Sequence, residues 1–295
     1  MTAGLDRRRH PPGLRFGEWQ AADGWRLRRF DWPVAEARGR LLFVGGRGDF
    51  AEKYLEAMAH WRSRGWSVTG FDWRGQGGSG RLLADPTVNH LDAFEPLLDD
   101  LRAFVTETRP QVAVAHSMGG HLLLRLLAEG AAGIAAAVLS SPMLGLRAGP
   151  LGTRSIAALA QAAVLAGRAE RHVWQGDPGN VGGRMTSCVE RQADKMWWKT
   201  NTPAIASGGP SWGWTRAACR SIARIDAAAL CRIDTPALLL VSERDPIVST
   251  RAVVRTASTM PHAELALLPG RGHELLREGD AIRHRVLARI DAFLG

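Results

Sequence analysis

Long apolar runs are missing from this chain. No stretch approaches the roughly 20 consecutive apolar residues that a membrane-spanning helix needs. The basic N-terminus, MTAGLDRRRHPPG, lacks the apolar core of a secretory signal, so a cytosolic protein is the expectation. Cysteine is scarce. Cys188, Cys219 and Cys231 are odd in number and show no C-x-x-C spacing, which reads as reduced thiols without a metal role. No H-E-x-x-H pair or clustered His/Asp set occurs, which argues against a metal hydrolase. The glycine-rich stretches lack both G-x-G-x-x-G and a Gly-Lys-Ser/Thr ending, so neither a dinucleotide fold nor a phosphate loop is indicated. No nucleic-acid-binding module, internal repeat or low-complexity segment is visible. No cofactor is expected.

What is present is enough for one large α/β domain, or for such a domain with an insertion: 295 residues, 45% of them hydrophobic. The net charge of +9 offers attraction to anionic lipid or substrate. The basic residues are mostly arginines spread along the chain, with one local run at Arg7-Arg8-Arg9, and this reads more simply as compositional bias. Tryptophan is unusually frequent, with 11 copies, some of them clustered at Trp197-Trp198 and Trp212-Gly213-Trp214.

Phe16 to Trp32 reads as a hairpin turning at Asp23-Gly24. Leu41 to Gly45 is a short buried strand, Phe50 to Arg64 a helix, and Ser67 to Asp72 a second strand. Leu91, Phe94, Leu97, Leu98, Leu101, Phe104 and Val105 repeat at helical spacing, closed by Pro110. Strands follow at Gln111 to Ala115 and Ile134 to Leu139, with a helix between. This alternation predicts a parallel sheet. It breaks after Ser141-Pro142. From about Met143 to Ile225 no strong strand signal appears, only Gly/Pro-rich patches and an Ala-rich helix near Ile156 to Leu165. It resumes with a strand at Ala237 to Val241, a helix near Arg251 to Ser258, a strand at Glu264 to Leu268 and a helix from Asp280 to Leu294.

The stretch QVAVAHSMGGH carries the chemistry. A buried strand meets Ser117, and small residues and a helix follow at once. A serine on so tight a strand-to-helix turn is held in a strained conformation, with its hydroxyl projecting from the sheet at a helix N-terminus. The alternative is a plain packing turn. A nucleophilic serine needs a base, and the base needs an acid to orient it. His273 sits in a glycine-flanked loop after the last strand and is the best placed of the 9 histidines. His116 and His121 lie in the turn itself, and His284 on the terminal helix. Asp245, on the loop ending the preceding strand, is the candidate acid, and Glu243 two residues earlier competes with it. The strand before the break ends in Ser140-Ser141-Pro142 and offers no carboxylate. Two main-chain N–H groups must meet the developing oxyanion, each worth about 3–4 kcal/mol. One is that of Met118; the other falls by register on Arg47, in the loop Gly45-Gly46-Arg47-Gly48, which would otherwise be an ordinary turn. The glycines from Gly75 to Gly80 are expected to pack beneath the site.

FDWRGQGGSGR, AHSMGGH and GRGHELLRE together resemble the monoacylglycerol lipase/lysophospholipase group of the α/β-hydrolase superfamily (serine aminopeptidase S33-like, Hydrolase_4). GGRGDFAEKY, SPMLGL and GGPSWGWTRAA resemble its lysophospholipase L2-like branch. The resemblance runs from about Phe16 to the C-terminus. Gly45 stands where many relatives carry His, and Ala115 where many carry Gly; neither change removes a catalytic group. The resemblance implies an α/β-hydrolase fold, a mostly parallel doubly wound sheet built from residues 1–142 and 226–295. A helical cap would be inserted at 143–225. It makes Ser117, Asp245 and His273 a catalytic triad and the N–H groups of Arg47 and Met118 the oxyanion hole. It implies a cofactor-free serine hydrolase of carboxylic esters with medium or long acyl chains, and leaves a peripheral membrane contact open. Trp197, Trp198, Trp212 and Trp214 could line an acyl channel or could pack the cap onto the core. The rivals are a proline iminopeptidase-like peptidase, a small-ester esterase and a non-catalytic binding protein of the same fold. The peptidase needs a carboxylate cluster for the substrate amine, whereas Glu170, Asp177, Glu190 and Asp194 are scattered. The complete set of triad residues argues against the binding protein.

Overall fold

The structure, a computed structural model, describes residues 5–130, 133–175, 185–270 and 272–295; Asp177 and Arg271 lie outside this set. The chain enters through an antiparallel hairpin, β1 (Arg15–Gln20) and β2 (Arg26–Trp32), whose turn places Gly24 at φ +86°. Then come β3 (Gly39–Val44), α1 (Leu55–Ser63), β4 (Trp66–Phe71), α2 (Glu95–Thr108), β5 (Val112–His116), α3 (Met118–Ala128) and β6 (Ala136–Ser140). After the intervening segment the sheet is completed by β9 (Ala237–Ser242) and β10 (Ala263–Leu268), with α8 (Thr250–Thr259) between them and α9 (Asp280–Leu294) last. The 8-stranded order is β1-β2-β4-β3-β5-β6-β9-β10. β2 runs antiparallel to β4, and every pairing from β4 to β10 is parallel.

Parallel strands buried on both faces must be apolar on both, and β3 shows how this works. Leu42 and Val44 enter one core layer with Leu97, Leu101 and Leu123, while Leu41 and Phe43 enter the opposite layer with Trp61 and Ile290. Strand registers pair Val44 with Ala115, His116 with Ser140, and Leu268 with Ser242. The carboxyl ends therefore share one edge, and the loops bearing Arg47, Ser117, Asp245 and His273 all leave from it.

Two elements differ from the sequence reading. Leu91 and Phe94 are buried but precede α2, because Pro96 sits in the first helical turn and fixes the start there. The helix expected from Phe50 opens instead as a tight turn over Ala51–Tyr54. The segment between β6 and β9 holds a small hairpin, β7 (Arg147–Ala148) with β8 (Leu151–Gly152), then α4 (Thr153–Leu165), α5 (Val189–Asn201), α6 (Trp212–Ala223) and α7 (Ala227–Leu230). α4 and α6 pack on each other, whereas α5 lies against the Ala51–Tyr54 turn. The segment thus contributes to two places.

Candidate active site

Ser117 closes β5 and opens α3 at φ +52°, a region that L-residues occupy only under constraint. The constraint is visible. Ser117 N–H donates to the Ser140 carbonyl at 2.9 Å, and its own carbonyl accepts from His121 and Met143 N–H groups at 3.0 Å each. Close packing of α3 on the end of β3 explains the small residues here. A Cβ on Gly119 would stand 2.4 Å from the Gly45 carbonyl oxygen, and one on Gly46 2.9 Å from Ser117 Cβ.

His273 Nε2 lies 3.0 Å from Ser117 Oγ, and Nδ1 lies 2.8 Å from Asp245 Oδ2. An ionised carboxylate can only accept, so Nδ1 carries the proton and Nε2 accepts from the serine hydroxyl. The other oxygen of Asp245 takes the N–H groups of Ile247 and Val248 at 2.8 and 2.9 Å, and the residue is fully buried. Glu243, the competing acid, is exposed. Burial alone would lower the His273 pKa. The Asp245 charge and hydrogen bond outweigh it, Glu274 and Asp49 add to them, and the imidazole is held above its ordinary value. The loop is pinned by the Met185 carbonyl, which accepts from the N–H groups of both His273 and Glu274, at 2.9 and 2.7 Å.

Arg47 and Met118 border the same cavity as Ser117. Asp49 shapes the Arg47 loop: its Oδ2 accepts from Gly46 N–H at 2.6 Å and from the Tyr54 hydroxyl at 2.8 Å. Gln76, from the glycine-rich stretch after β4, accepts from Gly48 N–H at 2.5 Å, and Trp73 Nε1–H donates to the Gly45 carbonyl at 2.7 Å. That stretch therefore supports the loop from below. The Arg47 guanidinium has its own position, 5.5 Å from the ring centre of Trp214 and 5.7 Å from that of Trp174, donating to the Gly208 carbonyl at 3.1 Å.

Above Ser117 opens a cavity of about 250 Å³ with a largely apolar wall that includes Leu146, Ile156, Trp174, Trp212 and Trp214. The structure separates the tryptophans named from the sequence. Trp212 and Trp214 line the cavity; Trp197 and Trp198 do not. The last two sit on α5, where Trp198 is buried, stacks on His10 at 5.0 Å and donates from Nε1 to the Arg7 carbonyl at 2.8 Å, with Trp197 edge-on to it. Trp198 shares the buried face of α5 with Arg191, Asp194 and Lys195, and its contacts are with the N-terminal segment rather than the cavity. Among the described residues no cluster of three or more His, Cys, Asp or Glu could hold a metal ion.

Comparisons with known proteins give the family and the fold. The Hydrolase_4 family, described as serine aminopeptidase, S33, matches residues 35–280. The chain belongs to this family. It is 31% identical over 276 residues to lysophospholipase L2 of Escherichia coli K12, covering 86% of this chain and 79% of that one. It is 29% identical over 273 residues to the probable lysophospholipase L2 of Haemophilus influenzae, covering 89% and 85%. Its fold is that of a soluble variant of the Saccharomyces cerevisiae monoglyceride lipase, with a TM-score of 0.77 at 20% identity over 99% of this chain and 97% of that one. The α/β-hydrolase fold is thereby shown, as are the family and its lysophospholipase L2-like relatives.

Several residues around this candidate site escaped the sequence reading. Trp174 and Met185 lie in the stretch with the weakest signal. Asp49 and Lys53 sit four apart, a spacing that reads as a solvated ion pair. Their burial, with Glu274 beside them, becomes apparent only once the loops meet.

Proposed function

We propose that this protein is a cofactor-free serine hydrolase that cleaves the carboxylic ester of a single-chain lipid, of the lysophospholipid or monoglyceride type. The carrying observation is the Ser117–His273–Asp245 chain of hydrogen bonds at the floor of an apolar cavity. Ser117 Oγ attacks the ester carbonyl as its proton passes to His273 Nε2. The oxyanion meets the Arg47 and Met118 N–H groups, and the imidazolium is stabilised by Asp245. His273 then protonates the departing alcohol, leaving an acyl-Ser117. A water that gives its proton to His273 releases the fatty acid and restores the serine.

Lipid rather than peptide is favoured by the cavity's charges. Arg47 and Arg147 are its cations, and its carboxylate, Asp49, is already engaged by Lys53, Tyr54 and Gly46. A free substrate amine finds no unengaged carboxylate there among the described residues, whereas a phosphate headgroup finds a complementary field. Leu151, Leu159 and Trp174 border the cavity and are also exposed, beside exposed Arg147. Such a rim suits peripheral contact with an anionic lipid surface. Among the described residues no helix is long and apolar enough to cross a membrane. A fluorophosphonate should label the protein and not Ser117→Ala. In a panel of p-nitrophenyl esters, lysophospholipids and aminoacyl-naphthylamides, turnover should favour the longer acyl chains. Turnover of the amides alone would overturn the lipid reading.

A further inference from the structure

Behind the candidate base lies a buried set of charges for which acyl transfer gives no direct use. Lys53 Nζ contacts Asp49 Oδ1 and lies 2.5 Å from Glu274 Oε1; Glu274 Oε2 in turn contacts Arg277. All four side chains are nearly inaccessible to solvent. Desolvating four charges is costly unless each is paired. Here the pairing is complete and the set is neutral. Its position is what matters. Asp49 shapes the loop that carries Arg47, and Glu274 directly follows His273, so Lys53 bridges the two loops that must meet at one carbonyl carbon.

We propose that Lys53 is a positioning residue, which fastens the Arg47 loop to the His273 loop and cancels the negative charge that would otherwise accumulate behind the base. The inference rests on the hydrolase reading above. The groups acting on His273 are Asp245 from the β9 loop, Glu274 beside it and Asp49 from the segment after β3, with Ser117 Oγ at 3.0 Å and His116, at the end of β5, 5.0 Å ring to ring; Lys53 and Tyr54 contact Asp49. Arg277 and Lys195 act on Glu274. Asp49 and Glu274 both push the imidazole toward its charged form. Burial would raise the pKa of either carboxyl, but Lys53 holds Asp49 down at about 2 and, with Arg277, holds Glu274 well below the usual range. Without Lys53, Glu274 keeps Arg277, and Asp49 keeps the Gly46 N–H and the Tyr54 hydroxyl. Removing Lys53 takes away the largest influence that holds either carboxyl down, and the negative charge they keep is then less compensated.

The two partners of this bridge therefore shift the base in opposite directions. The test is the second-order rate constant for inactivation of the full chain by a fluorophosphonate, measured against pH. With the reagent in excess, this quantity does not depend on how much competent protein a preparation contains. In Lys53→Met the midpoint should move up by about one pH unit and the plateau should fall about tenfold. In Glu274→Gln the midpoint should move down, and in the double variant it should return toward that of the wild type. With an ester substrate, Lys53→Met should lose kcat and leave KM within about twofold. Should Lys53→Met not accumulate, Glu274→Gln and the double variant still read the sign. Midpoints of both single variants within about 0.2 unit of the wild type, or displaced in the same direction, would overturn the proposal. A wild type that never reacts would remove the hydrolase reading itself and this inference with it.

Discussion

At Asp245 one residue type does what its neighbour cannot. Asp245 and Glu243 are both carboxylates on one loop, yet only Asp245 points inward, where two N–H groups fix one oxygen and His273 takes the other. Asp245→Asn keeps the volume but offers an amide where a carboxylate must accept and stabilise charge. Its kcat should fall by about 10²–10⁴. Glu243→Gln, at an exposed position, should stay within about twofold. Equal losses in both would move the acid. Chain order in the sequence made Ser117, Asp245 and His273 the candidates, because loops after successive parallel strands leave from one edge. The sequence put Asp245 ahead of Glu243 but left the second as a competitor two residues away. The choice depends on which way a loop side chain turns, and burial at that point is set by the strands on either side.

At the scale of elements, periodicity found α2, α8 and α9 and the strands of the parallel sheet, because each buries a stripe or a face of fixed period. It did not tell α5 from α6. Both are amphipathic and carry paired tryptophans, yet α5 closes over the N-terminal segment and α6 over the cavity. Removing a cavity ring and removing a packing ring should therefore have different consequences. Trp212→Ala should raise KM for the longest ester about tenfold with little change for the shortest, the loss expected for one large apolar contact. Trp198→Ala should cost about 3–5 kcal/mol of stability and leave the chain-length preference intact, read from denaturant midpoints beside a p-nitrophenyl ester series. A changed chain-length preference in Trp198→Ala would show that α5 reaches the substrate.

For the whole molecule, the buried titratable groups make stability depend on acid. Burial lowers His116 to about 4 and His121 to about 3. Each is neutral in the fold and binds a proton more readily once unfolded, so its contribution is present above an unfolded pKa of about 6.5 and is lost as pH falls. Asp49 and Glu52, both held at about 2 despite burial, add a second loss below about pH 4. Burial pushes Asp72 up to about 6, which opposes the first loss in part. Denaturant midpoints should decline gently below about pH 6.5 and steeply below about pH 4. His121→Gln, which cannot charge, should flatten the first decline relative to its own value at pH 7. A midpoint unchanged in the wild type from pH 7 to pH 4 would contradict this account.

Sequence alone determined the alternation of strands and helices, the strained serine turn and the order of candidate residues, because each rests on local periodicity or on spacing along the chain. Tertiary structure decided which acid faces inward, which tryptophans meet the cavity, and that Lys53 joins Asp49 to Glu274. These depend on which surfaces of distant segments are buried against each other, and no local pattern records that.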